Sequence, residues 1–262
     1  MKVYYLLGIL MVAAVGRAAA QNEEIEDSVE NRQVKKVNVT VYYESLCPFA
    51  RDFIVNQLRP TLRGNLSRYI NLELIPYGKT NRTSDYNGNA TFSCQHGPEE
   101  CYGNLIQACA RDFIDSDALY AEFVACYMDA VHPPASRRLM DEAAEACATP
   151  AGLAASRLRT CANNTFGVER LIHYGRLTDA FATPLRRVPT VAFEGVDDEA
   201  ASEAARASFA GEVCSRIEPP RPAECEDVKI VQRNGGVTVR TAVWSFLWLV
   251  LPLIRADRLF MW

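Results

Sequence analysis

Val37-Asn38-Val39-Thr40-Val41-Tyr42-Tyr43-Glu44-Ser45-Leu46-Cys47-Pro48 is the stretch on which the fold turns. Its first seven residues alternate and are rich in β-branched and aromatic side chains, so they read as a strand. Pro48 suits the first turn of a helix, because its missing amide is one that no helix start uses. Ala50, Phe53, Ile54, Gln57 and Leu58 then recur on one helical face, up to Pro60. A second strand over 71–76 completes a β-α-β unit within about forty residues, which favours an α/β layer.

Downstream the period changes to helical. Leu105, Ile106, Cys109, Ala110, Phe113 and Ile114 form one apolar stripe. Leu119, Phe123, Cys126, Tyr127 and Ala130 form another, which ends before Pro133-Pro134. Shorter helices are expected over 138–147 and 152–161, and a further one over 167–181, ahead of Pro184. Residues 188–193 read as a strand and 198–214 as a closing helix. Strands at both ends with helices between them describe one α/β domain over 37–217, with a helical, cysteine-rich insertion at about 92–183.

The ends read differently. Lys2, the apolar run 3–15 and the Ala18-Ala19-Ala20 tail make residues 1–20 a signal peptide, the run being short for a membrane anchor. Residues 21–36 are polar and acidic and read as a disordered tail or pro-segment. Residues 218–262 are a Pro/Glu-rich linker and an apolar tail. The run 243–254 is short for a spanning helix, and Arg255, Asp257 and Arg258 fit a lipid-anchor signal poorly, so membrane association through it stays open.

The formal charge of the 262-residue chain is −4, and with no basic stripe a nucleic-acid partner is not expected. Five N-glycosylation triplets begin at Asn38, Asn65, Asn81, Asn89 and Asn163. Asn38, at a strand start, is the least open to modification, whereas Asn81 and Asn89 lie in a polar segment read as a loop. Leader and triplets together place the chain in the secretory pathway, luminal or secreted.

Nine cysteines are present. Eight fall late: Cys94, Cys101, Cys109, Cys126, Cys147, Cys161, Cys214 and Cys225. An even set of this kind in an oxidising compartment reads as disulfides, with on the order of a hundred pairings open. Cys214 with Cys225 makes a plausible local loop. A zinc cluster is the competing reading, disfavoured because no paired short cysteine hooks occur. Cys47 stands apart at the strand-to-helix junction. It is either an inert core cysteine or a reactive thiolate stabilised by the orphan N–H groups of the helix start, and the junction favours the second. Attack on a substrate disulfide would give a mixed disulfide. Three residues on, where a C-x-x-C pair holds its second thiol, stands Ala50.

Cys94-Gln95-His96-Gly97-Pro98-Glu99-Glu100-Cys101-Tyr102-Gly103-Asn104-Leu105-Ile106-Gln107-Ala108-Cys109 matches the pattern C-Q-H-G-x2-E-C-x2-N-x4-C at every fixed place. The chain over about 37–217 thereby resembles the gamma-interferon-inducible lysosomal thiol reductase family. The resemblance implies a thioredoxin-like fold with a helical, disulfide-rich insertion. It also implies a soluble reductase of protein disulfides, favoured by acidic endosomal or lysosomal conditions. No bound cofactor is expected; without a thiol at position 50, resolution needs an external small thiol or a distant cysteine freed from the other eight, or does not occur. It places Cys47 on the first cysteine of the family's C-x-x-C motif and Ala50 on the second. Pro189 falls on the cis-proline beside the active cysteines, with Pro48 and Val188 in the substrate groove. Without the resemblance, Pro189 reads as a trans proline of an edge strand. His96 is expected to shape a turn or a disulfide environment. Of three histidines none sits in a ligand-spaced pair, so no metal site is expected. Glu44 is either close to the thiolate, opposing its formation, or a solvated carboxylate.

Overall fold

The structure, a computed structural model, describes residues 35–228, 230–231 and 237–238. The expected leader, nearly all of the acidic segment and the apolar run 243–254 lie outside the described residues. No helix among the described residues is long and apolar enough to cross a membrane.

Strand β1 (Val37–Tyr43) is the middle of a three-stranded sheet. It pairs in parallel with β2 (Ile70–Pro76), from Val37 opposite Ile70 to Tyr43 opposite Pro76. On its other edge it pairs antiparallel with β5 (Thr190–Phe193), from Val39 opposite Phe193 to Tyr42 opposite Thr190. A central strand must be covered on both faces, and the sequence of β1 provides for it. Val39, Val41 and Tyr43 enter one hydrophobic cluster with Phe53, Ile54, Leu58 and Phe209. Tyr42 enters a second with Ile75, Leu171 and Tyr174, and its ring stacks on Phe181 at 4.5 Å.

The parallel crossover is helical, as the β-α-β reading requires, but Pro60 does not end it. Helix α1 (Pro48–Phe53) passes through one π-type turn (Ile54–Leu58) into α2 (Arg59–Arg63). The proline sits in the first turn of α2, where a missing amide is tolerated, and the wider π turn takes up the change of hydrogen-bond register. Arg59 and Arg63 both clamp Glu122.

Between β2 and the helices the expected polar loop is a hairpin instead, β3 (Asn81–Ser84) with β4 (Ala90–Ser93). Asp85 accepts from the amides of Asn87 and Asn89, and Gly88 at φ +82° completes the turn. Because β3 is exposed along its whole length, no apolar alternation marks it in the sequence.

The insertion packs α3 (Pro98–Arg111), α4 (Asp117–Ala130), α5 (Arg137–Ala148), α6 (Ala155–Ala162) and α7 (Thr165–Phe181) on the sheet. Disulfides staple it: Cys94–Cys101 at the start of α3, Cys109–Cys161 between α3 and α6, and Cys126–Cys147 between α4 and α5. Cys214–Cys225 closes the short loop after the last helix. The expected single closing helix is two, α8 (Glu199–Ala207) and α9 (Phe209–Arg216). Ser208 leaves helical geometry at φ −156° and caps α9 with its side chain. That break turns Phe209 inward, edge-on to Phe53 at 5.5 Å.

The result is a mixed α/β, thioredoxin-like fold carrying a disulfide-rich helical layer. Short two-residue strands β6 (Ile230–Val231) and β7 (Val237–Thr238) pair beyond it.

Candidate functional site

Cys47 is the N-cap residue of α1, with Pro48 next in the first turn. It is the one cysteine outside a disulfide among the described residues. Its carbonyl accepts from the Arg51 amide at 2.9 Å, and its sulfur receives the backbone N–H groups of Ala50 and Phe49. The sulfur also lies 3.9 Å from the Val188 carbonyl. The peptide between Val188 and Pro189 is cis. Pro48, Val188 and Pro189 thus gather around the thiol. Phe49 beside it is 74 % exposed, whereas Ala50 is wholly buried in the core.

The expectation of a thiol favoured as thiolate is corrected by the surroundings. Cys47 is buried, and burial pushes its pKa above the ordinary value. The helix-end amides of Ala50 and Phe49 work against this, while the charges of Glu44 and Glu100 reinforce it. Desolvation outweighs the helix start here, because α1 offers two amides to a sulfur that is almost cut off from water.

Glu44 is not a solvated carboxylate. It is fully buried, and its Oε1 accepts from the Lys79 amide at 2.6 Å. Gly78 makes room for it: a Cβ there would lie 2.8 Å from the Glu44 carboxyl carbon, and its φ of +55° already favours glycine. Burial raises the Glu44 carboxyl to about 7. The Glu100 charge adds to the rise, and the Lys79 amide, His96 and the Lys79 charge oppose it.

The residues of the 94–109 pattern divide into two tasks. His96 folds back on the start of α3. Its amide donates to Glu100 Oε1 at 3.0 Å and its Nδ1 lies 2.6 Å from Glu100 Oε2. Gly97 holds φ +94° between them, a conformation that calls for glycine. His96 Nδ1 is also 3.7 Å from Glu44 Oε2. Deeper in the helix, buried Asn104 accepts the Ser45 amide at 2.9 Å, and the Ser45 hydroxyl donates to the Glu100 carbonyl at 3.0 Å. Cys94, Cys101 and Cys109 are in disulfides, and Gln95 is exposed.

Ser45, Gly103 and Gln107 were not singled out from the sequence. Gly103 admits Ser45 against α3, since a Cβ there would come within 2.9 Å of Ser45 Cβ and Met140 Cε. Gln107 accepts the Tyr43 hydroxyl at 2.6 Å. The signal available was the small residue at 103, on the same helical face as Glu100 and Gln107.

The five sequon asparagines, Asn38, Asn65, Asn81, Asn89 and Asn163, are all exposed. The Asn38 side-chain amide donates to Glu194 at 2.7 Å and that of Asn163 to the Arg159 carbonyl at 2.7 Å. Cys126, Cys147, Cys161, Cys214 and Cys225 lie away from this loop, each in a staple already described.

Among solved structures the chain is similar to DsbA of Chlamydia trachomatis, with 14 % identity, a TM-score of 0.45, and 62 % of this chain and 76 % of that one covered. BdbD from Bacillus subtilis gives 10 % identity, a TM-score of 0.47, and coverage of 71 % and 94 %. The sequence comparisons reach further. The family profile described as gamma interferon inducible lysosomal thiol reductase (GILT) matches residues 38–151. GILT-like protein 1 of Drosophila melanogaster is 32 % identical over 215 residues, 78 % of this chain and 82 % of that protein. A gamma-interferon-inducible lysosomal thiol reductase-like protein of Anopheles gambiae is 34 % identical over 205 residues, 74 % and 81 % of the two chains. The profile match spans both Cys47 and the 94–109 pattern, and the relatives extend across most of the chain. This protein therefore belongs to the gamma-interferon-inducible lysosomal thiol reductase family.

Proposed function

We propose that the protein is a thiol–disulfide oxidoreductase that reduces protein disulfides through Cys47, in the endosomal or lysosomal lumen or outside the cell. The observation that carries this reading is the placement of its one unpaired cysteine among the described residues. Cys47 caps a helix start beside the Val188 carbonyl, while every other described cysteine is in a disulfide. The Cys47 thiolate attacks one sulfur of a substrate disulfide, so that a mixed disulfide forms and the other substrate thiolate leaves. Ala50 supplies no second thiol. An external small thiol then attacks the Cys47 sulfur and frees the remaining substrate thiol, and a second one restores Cys47. In sum one protein disulfide is reduced and two small thiols become one small disulfide. The exposed ring of Phe49 flanks the thiol and offers an apolar contact for a cysteine-containing segment.

The test is reduction of insulin disulfides by the mature protein in mildly acidic buffer with excess small thiol. Acceleration that Cys47→Ser abolishes is expected, and equal rates for the two proteins would overturn the reading.

Two observations favour a second reading, a homologue that binds or traps disulfide-containing or unfolded partners. They are the raised thiol pKa of a buried Cys47 and the alanine at 50. Turnover that appears only in Ala50→Cys, with a stable mixed disulfide in the native protein, would decide for it.

A further inference from the structure

Glu44 and Glu100 are both fully buried, and among the described residues their ion pairs run to His96 alone. Two carboxylates side by side in a dry interior are costly unless positive charge reaches them. The backbone satisfies only part of the demand. Glu44 Oε1 takes the Lys79 amide, but Glu44 Oε2 is buried with no hydrogen-bond partner among the described residues. That orphaned oxygen lies 3.7 Å from His96 Nδ1, which in turn lies 2.6 Å from Glu100 Oε2.

Three donor atoms, one from each residue, fall within 4.8 Å of one another. They come from three separate places: the loop after β1, the turn before α3, and the first turn of α3. We propose that Glu44, His96 and Glu100 form a binding site for a divalent transition-metal cation of the zinc class.

The donor set selects the ion. One imidazole nitrogen and two carboxylate oxygens suit zinc and its neighbours, whereas calcium and magnesium call for six or more oxygens. A doubly charged ion also balances the two carboxylates. Ligands around a tetrahedral zinc stand about 3.4 Å apart. The Glu44–His96 spacing is close to that already, and the His96–Glu100 contact opens by about 1 Å as the ion takes the place of the proton between them. His96 can make that shift, since its side chain is 32 % exposed and it sits on a loop ahead of Gly97. Three protein ligands leave a fourth position for water. The site does not include Cys47, so it stands or falls independently of the reductase reading.

The experiment is zinc titration of the chelator-stripped mature protein against a chromophoric competitor at neutral pH, repeated with cobalt for its visible spectrum. One equivalent is expected in the native protein and in Cys47→Ser alike. The cobalt form is expected to show d–d bands without thiolate charge transfer. Glu44→Gln and His96→Ala are each expected to weaken binding at least tenfold, while His132→Ala leaves it unchanged. His96 is outside the core, so His96→Ala decides the matter if Glu44→Gln does not fold. Absence of stoichiometric binding, equal affinity in the His96 variant, or loss of the ion in Cys47→Ser would each overturn the proposal. Loss of insulin reduction in Cys47→Ser with zinc binding intact separates this site from the thiol's function.

Discussion

Replacing Glu44 by Gln is predicted to stabilise the fold in weak alkali and to leave it unchanged in acid. The folded carboxyl titrates at about 7, against an ordinary value of 4.5. Burial is the first cause and the Glu100 charge the second, with the Lys79 amide, His96 and the Lys79 charge offsetting part of the rise. Below the unfolded pKa the group is protonated in both states and contributes no pH dependence. As pH climbs past it the unfolded chain releases the proton first, so stability falls. Above about pH 7 the full cost is present. A shift of about 2.5 units corresponds to about 3 kcal/mol. Glutamine keeps the shape, can accept the Lys79 amide with its carbonyl, and can turn its amide towards the Glu100 carboxylate. The assay is urea unfolding of both proteins at about pH 4.5 and about pH 8, with a metal chelator present and the disulfides intact. With a slope of about 2 kcal/mol per molar urea, the variant's midpoint should exceed the native one by about 1.5 M in alkali and match it in acid. Parallel pH profiles for the two proteins, or an equal loss of stability at both pH values, would refute the reasoning.

Three further predictions concern the staples and the thiol. Removing the Cys109–Cys161 bridge, whose ends are 52 residues apart, should cost about 4 kcal/mol, and removing Cys214–Cys225, only 11 apart, about 3 kcal/mol. Melting temperatures of the paired serine variants should follow that order. Gly103→Ala forces a methyl group onto Ser45 and Met140 and should cost about 1–3 kcal/mol. It should also alter the alkylation rate of Cys47, two residues beyond the displaced Ser45, and an unchanged melt and rate would contradict the packing. In the native protein, Cys47 alkylation should still be rising at the ordinary thiol pKa of 9.0, because the thiol is pushed above it. A plateau below that pH would show a stabilised thiolate instead.

Local chemistry made much of this fold legible. The alternation of 37–43, the proline after Cys47 and the stripes of α3 and α4 each reflect one element's own period, so they could be read one residue at a time. Most of the differences arise because the deciding contact is distant in sequence; Pro60 is the local exception. Pro60 reads as a stop, yet the π turn just before it absorbs the register change. Ser208 reads as mid-helix, yet the break is favoured because it delivers Phe209 to Phe53. Glu44 could be placed near the thiol from its position, but its burial depends on Gly78 and on α3, which no spacing around Cys47 reveals. His96 likewise meets a carboxylate 52 positions upstream, a contact that spacing among the three histidines does not reveal.

Asn104, Gly103 and Glu100 explain why a pattern on α3 belongs with a thiol on another segment. A loop that leaves a strand and caps a helix has free amides and hydroxyls, and in a buried loop each needs a partner. The Ser45 amide finds Asn104, and the Ser45 hydroxyl finds the Glu100 carbonyl across the gap that Gly103 leaves open. Asn104 also reaches Thr80 beyond β2, at 3.4 Å, and Thr80 itself touches the Cys94 sulfur. The Cys94–Cys101 bridge fixes the turn that carries His96 and Gly97 against the same helix start. The pattern is therefore a scaffold for residues 44–47 and need not supply the reacting group. Deletion of its polar members should disturb Cys47 through position, and deletion of Cys47 should leave the scaffold standing. A site organised this way keeps its shape with alanine at position 50, because the loop is held through Ser45, Asn104 and Glu100 and residue 50 meets Cys47 through its backbone amide alone.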